Sequence, residues 1–132
     1  MSSLSHPNLI KTLQTFTISH TIYIVMPLMN AGSLSSILNY KYPDGIKDIC
    51  VIATILRECL AAIEYLHENK LIHRDIKTGN ILLSMDGSIS IGDFGVAAQV
   101  KEQKRTSFVG SFCWMAPEVI SNEGYDTKVL LV

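Results

Sequence analysis

The run Leu71-Ile72-His73-Arg74-Asp75-Ile76-Lys77-Thr78-Gly79-Asn80 puts an acid, a base and an amide, Asp75, Lys77 and Asn80, into one short polar loop. Apolar residues flank it on both sides, Leu71-Ile72 before and Ile81-Leu82-Leu83 after. A loop held between two short buried strands is a place where polar side chains can be fixed rigidly. Eighteen residues after Asp75 stands Asp93-Phe94-Gly95, and twenty-five residues after Asp93 stands Glu118, within Ala116-Pro117-Glu118. Each short pattern is common by chance. All three in this order and spacing are not.

The chain around this loop mixes short strands with three helices. Leu9 to Thr17 and Thr21 to Met26 read as strands joined through Ser19-His20, and Pro27 ends the second because it has no N–H for a ladder. After the Asn30-Ala31-Gly32 loop, Ser33 is an N-cap for a short helix over Leu34 to Tyr40. Tyr42-Pro43-Asp44-Gly45 is a turn. Asp48 caps the longest helix, about Ile49 to Asn69, whose apolar residues at 52, 55, 56, 59, 60, 63 and 66 keep a helical period. Ile81 to Leu83 and Ser88 to Ile91 are strands joined through Met85-Asp86-Gly87. Residues 96 to 113 are irregular, with Lys101, Lys104 and Arg105 forming a solvated face, and Pro117 suits the first turn of a helix over Glu118 to Ser121. No internal repeat is visible.

Composition narrows the classes. The chain has 132 residues, 48% hydrophobic and 17% charged, which suits one globular domain rather than a disordered segment. A net charge of −1 without a basic block argues against a nucleic-acid surface. The longest apolar run, Ile22 to Met29, is far too short to cross a bilayer, and Met1 to His6 lacks the features of a signal peptide. Three cysteines, Cys50, Cys59 and Cys113, lack metal-like spacing and fit free thiols in a reducing, cytoplasmic setting.

The order H-R-D-x-x-x-x-N, D-F-G, A-P-E is the signature set of protein kinases, and the chain resembles a eukaryotic Ser/Thr protein kinase from about Met1 to Lys128. The runs Val51 to Glu58, Gly92 to Val96 and Ser107 to Glu118 are similar to the germinal-centre-kinase branch of the sterile-twenty superfamily, within it the Fray-like and oxidative-stress-responsive group. That group has Thr where Ser111 stands and Pro where Phe112 stands. The resemblance implies part of an α+β, protein-kinase-like fold: 1–26 a remnant of the small lobe, 27–32 the hinge, 33–128 a large-lobe part and 129–132 a divergent tail.

It also implies roles, with ATP and Mg²⁺ as cofactors and a protein Ser/Thr hydroxyl as acceptor. Asp75 would accept the acceptor's proton, Lys77 would neutralise the γ-phosphate, and Asn80 and Asp93 would ligate Mg²⁺ through oxygen. Ser111 would hydrogen-bond Asp75 and Lys77. Met26 would be the gatekeeper, Pro27 and Met29 would grip adenine through backbone groups, and Leu82 would floor that pocket. His73 would pack on Phe94 rather than act as a catalyst. Arg74 implies a phosphate in the activation segment, at Ser107 or its neighbour Thr106, supplied by an upstream kinase. Read without the resemblance, each is ordinary: a solvated loop for Asp75, Lys77 and Asn80, a turn aspartate for Asp93, a strand end for Pro27, core for Leu82, an exposed serine for Ser107.

These 132 residues contain no G-x-G-x-x-G loop, no V-A-I-K lysine and no helix glutamate to pair with it. The resemblance also gives Glu118 an arginine partner downstream that this sequence does not contain. We therefore expect weak ATP binding and poor or no phosphate transfer by the 132 residues alone. The alternative is a non-catalytic short isoform or pseudokinase that acts as an interaction module, for instance on a scaffold protein. It predicts drift among the site residues, and none is seen.

Overall fold

A computed structural model describes residues 4–95, 97–99, 108–121 and 124–127. Ser107, Thr106, the basic cluster and residues 129–132 lie outside them.

The first strand is shorter than its apolar run. β1 (Gln14–Ile18) pairs antiparallel with β2 (Thr21–Val25) across a two-residue turn. Ser19 and His20 both take positive φ, 43° and 70°, as the twist of a tight hairpin demands. Leu9 is used elsewhere: it bridges in parallel to Ile91, with Ile10 N–H donating to the Ile91 carbonyl. The turn His6-Pro7-Asn8 bends the chain there, so the run from Leu9 serves two structures instead of one strand.

The long helix anchors the core. α1 (Leu34–Lys41) starts where Ser33 accepts from Ser36 N–H, and α2 (Ile49–Glu68) starts where Asp48 accepts from Cys50 N–H. Asn69 ends α2. Ile55, Cys59, Ala62, Ile63 and Leu66 of α2 are buried against Leu9, Leu34, Ile81, Ile89 and Ile91. Ile52, Leu56 and Leu60 are exposed and turn toward a second face. The period of the helix was apolar on two sides, so periodicity alone did not say which would be covered.

Short strands then frame the polar loop. β3 (Gly32–Ser33), β5 (Ile81–Leu83) and β6 (Ile89–Ile91) form an antiparallel sheet with β5 central. β4 (Leu71–Ile72) pairs with β7 (Ala98–Gln99). Two-residue strands such as β3 and β7 have no periodicity to detect. Phe112–Trp114 form one 3₁₀ turn, and α3 runs from Pro117 to Ile120 with Pro at its first turn. Ile72, Ala116, Val119 and Tyr125 make a second small core that ties this segment to β4.

Candidate active site

The loop between β4 and β5 closes around one carboxylate. Asp75 side chain is only 11% exposed. Lys77 Nζ donates to its Oδ2 at 2.8 Å, and Asn80 Nδ2 donates to the same oxygen at 3.0 Å and to the Asp75 carbonyl at 2.8 Å. Ser111 N–H and Oγ both donate to Oδ1, at 2.9 and 2.7 Å. Lys77 Nζ also donates to Ser111 Oγ at 2.7 Å, closing a triangle of acid, ammonium and hydroxyl. Burial by itself raises the Asp75 pKa, but the hydrogen bonds from Lys77, Ser111 and Asn80 outweigh it and hold the group at about 2. It is a carboxylate at neutral pH.

His73 locks the base of the loop. Its ring is buried, and burial pushes its pKa down, against the pull of the Gly92 carbonyl and of Asp75 and Asp93. Nδ1 accepts from Asp75 N–H at 3.3 Å, so Nε2 carries the proton and donates to the Gly92 carbonyl at 2.9 Å. The ring lies 5.1 Å from that of Phe94, tilted by 59°. Gly92 N–H in turn donates to the Asn80 carbonyl at 2.9 Å. These bonds fasten the Asp93 segment to the Asp75 loop.

Asp93 sits next to that joint, exposed, with φ +60°. Its Oδ1 accepts from Gly95 N–H at 3.3 Å, a turn contact at the long end of the range. Asn80 commits its amide nitrogen to Asp75, which turns its amide oxygen the opposite way. Two hard oxygens, one from each loop, suit Mg²⁺ better than a soft metal. Among the described residues no group of three His, Cys, Asp or Glu could hold a metal without help. Mg²⁺ commonly takes one or two protein oxygens and completes its shell with phosphate and water.

The adenine-side residues are less closely assembled. Pro27 and Met29 lie in the irregular stretch after β2, where the Met29 carbonyl accepts from Gly32 N–H at 3.0 Å. Leu82 sits in β5 opposite Ser33 and Ser90. The stretch turns at Asn30-Ala31 into β3, which pairs with β5, so the three share one region but no hydrogen bond joins them. Met26 is exposed, and so are all residues of β1 and β2. Cys59 is a core thiol, with its pKa raised to about 11 chiefly by burial. Cys113 is exposed near Ser111.

Two contributions escaped the sequence. Gly92 serves as the link between loops through its backbone, and a buried Asn8 donates to the Ile89 carbonyl at 2.8 Å and to Glu58 at 2.9 Å. A glycine before an aspartate and an asparagine in a turn signal no such roles by type alone.

A polar loop holding an ionised aspartate against a lysine, beside a second aspartate in a Phe-Gly turn, is the arrangement of the protein kinases. Residues 1–130 match the protein kinase domain family, and the chain belongs to it. It is 42% identical over 98% of its length to Serine/threonine-protein kinase fray1 of Dictyostelium discoideum, and 43% identical over 97% to Germinal center kinase 3 of Caenorhabditis elegans. It is 40% identical over 98% to Serine/threonine-protein kinase PAK 1 of Mus musculus. These are Ser/Thr kinases of the sterile-twenty type. The chain spans 23%, 24% and 23% of their respective lengths.

Proposed function

We propose that this segment carries the catalytic loop, metal site and part of the activation segment of an ATP-dependent protein Ser/Thr kinase. The observation that carries the reading is the Asp75 carboxylate, held ionised by Lys77, Asn80 and Ser111. Phosphoryl transfer asks a protein mainly for positioning and charge neutralisation. ATP with Mg²⁺ supplies the transferable phosphoryl group.

Asp75 is a weak base, so its work is to orient a substrate hydroxyl and take its proton as positive character builds on that oxygen. Lys77, bonded to Asp75 and Ser111, holds a positive charge beside the same spot for phosphate oxygens. Asn80 and Asp93 offer oxygens to the metal. Pro27, Met29 and Leu82 form the adenine side, with Met29 N–H as donor. His73 fixes loop geometry. Ser107 or Thr106 takes the activating phosphate from an upstream kinase and pairs with Arg74. The substrate is a cytoplasmic protein with an accessible Ser or Thr, and a scaffold protein is a further partner. Residues 1–26, 27–32 and 33–128 then belong to small lobe, hinge and large lobe.

The 132 residues lack a glycine-rich loop and its lysine, so alone they bind ATP weakly and transfer phosphate poorly. The test is phosphoamino-acid analysis of peptide substrates treated with Mg²⁺-ATP and the protein expressed from its complete reading frame. Phosphate on Ser or Thr, dependent on Mg²⁺, supports the proposal. Phosphate on Tyr, or none, defeats it.

A further inference from the structure

Gly110 stands one residue before Ser111 and takes φ +120°, which side-chain-bearing residues rarely adopt. A Cβ placed on it would run into the carbonyl oxygen of Arg74, the residue before Asp75. Arg74 itself holds φ +69°, uncommon for a residue with a side chain. Two backbones far apart in sequence thus touch immediately beside the Ser111–Asp75 hydrogen bonds. Gly32, Gly45 and Gly87 also have positive φ, yet a Cβ on any of them meets nothing within 4 Å. Those three relieve turns. Gly110 permits an approach.

We propose that Gly110 is a positioning residue: the missing side chain sets the separation of the two segments at which Ser111 N–H and Oγ both reach Asp75 Oδ1. Any β-carbon must push the Ser111 segment off the Arg74 carbonyl, and because both donors sit on the next residue, both are lost together. Ser111→Ala removes only the hydroxyl, so the two variants separate the segment's placement from the side chain's chemistry. The consequence for phosphate transfer rests on the function proposed above, but the geometric claim does not.

The test is the amide resonance of Ser111 in ¹⁵N-serine-labelled intact protein. In the wild type, Asp75→Asn moves this resonance upfield, because the amide loses an ionic acceptor. Gly110→Ala moves it upfield alone and abolishes any further response to Asp75→Asn. Gly45→Ala, also at positive φ (+81°) but facing open space, leaves the position and the response intact. A Gly110→Ala protein that keeps the wild-type resonance and its response overturns the proposal. So does one whose whole spectrum collapses, since Gly110 would then be a scaffold residue. A protein that shows the expected resonances but transfers no phosphate defeats the kinase reading and leaves the positioning role standing.

Discussion

Ser111 reaches Asp75 with two donors at once, its N–H at 2.9 Å and its hydroxyl at 2.7 Å, both on Oδ1 and across 36 residues of sequence. The charge state of the loop aspartate is therefore tied to the placement of the later segment. Ser111→Ala removes one of the bonds that holds the Asp75 pKa near 2, so that pKa rises toward its ordinary value of 3.8. Ser111→Thr keeps the hydroxyl and the low value. Carboxyl carbon chemical shifts followed through an acid titration read this directly, and equal pKa values in wild type and Ser111→Ala contradict it.

The same aspartate gives stability a pH dependence of definite sign. Its folded pKa lies below its ordinary value, so its contribution is complete above about pH 4 and fades as pH falls toward about 2. Urea midpoints should drop across that window, and less steeply in Asp75→Asn. Parallel acid slopes for the two proteins would show that Asp75 contributes nothing there.

Asn8 joins the start of the chain to the core by two bonds, to Glu58 and to the Ile89 carbonyl. Asn8→Ala leaves that carbonyl without its side-chain donor and costs about 1–3 kcal/mol. Asn8→Asp is worse, because it sets a carboxylate against Glu58. Chemical denaturation measures both, and a neutral Asn8→Ala would refute the link.

Much of this was legible in the sequence, for reasons that differ by residue. The caps Ser33 and Asp48 were legible because their side chains bond their own helix. The loop bearing Asp75, Lys77 and Asn80 was legible because spacing and residue type both carry chemistry. Leu9 reads as the start of a strand in sequence but bridges to Ile91 ahead of β1, since an apolar run does not say which neighbour it will meet. β7 was invisible, because two residues have no period. The role of Gly110 depends on where the Arg74 backbone lies, a distance no local pattern encodes. Gly92 and Asn8 act on groups remote in sequence, which has the same effect.

The two faces of α2 should respond differently to truncation. Leu66 is 1% exposed, and Leu66→Ala costs about 2–5 kcal/mol, the usual range for a buried leucine. Leu60 is 48% exposed, and Leu60→Ala costs well under about 1 kcal/mol in these 132 residues. Denaturant midpoints compare them. Equal losses would mean that the outer face is covered as fully as the inner one.

The most direct measurement is phosphate transfer from Mg²⁺-ATP to a serine peptide by the protein expressed from its complete reading frame, wild type against Asp75→Asn. Asn fills the same space and still accepts from Ser111, but it has no charge and takes no proton. The account predicts a fall of about a hundredfold or more in kcat, with ATP binding little changed. An Asp75→Asn protein within a few fold of the wild type would contradict it, because the carboxylate that four donors hold in place would then not be the group that serves the acceptor hydroxyl.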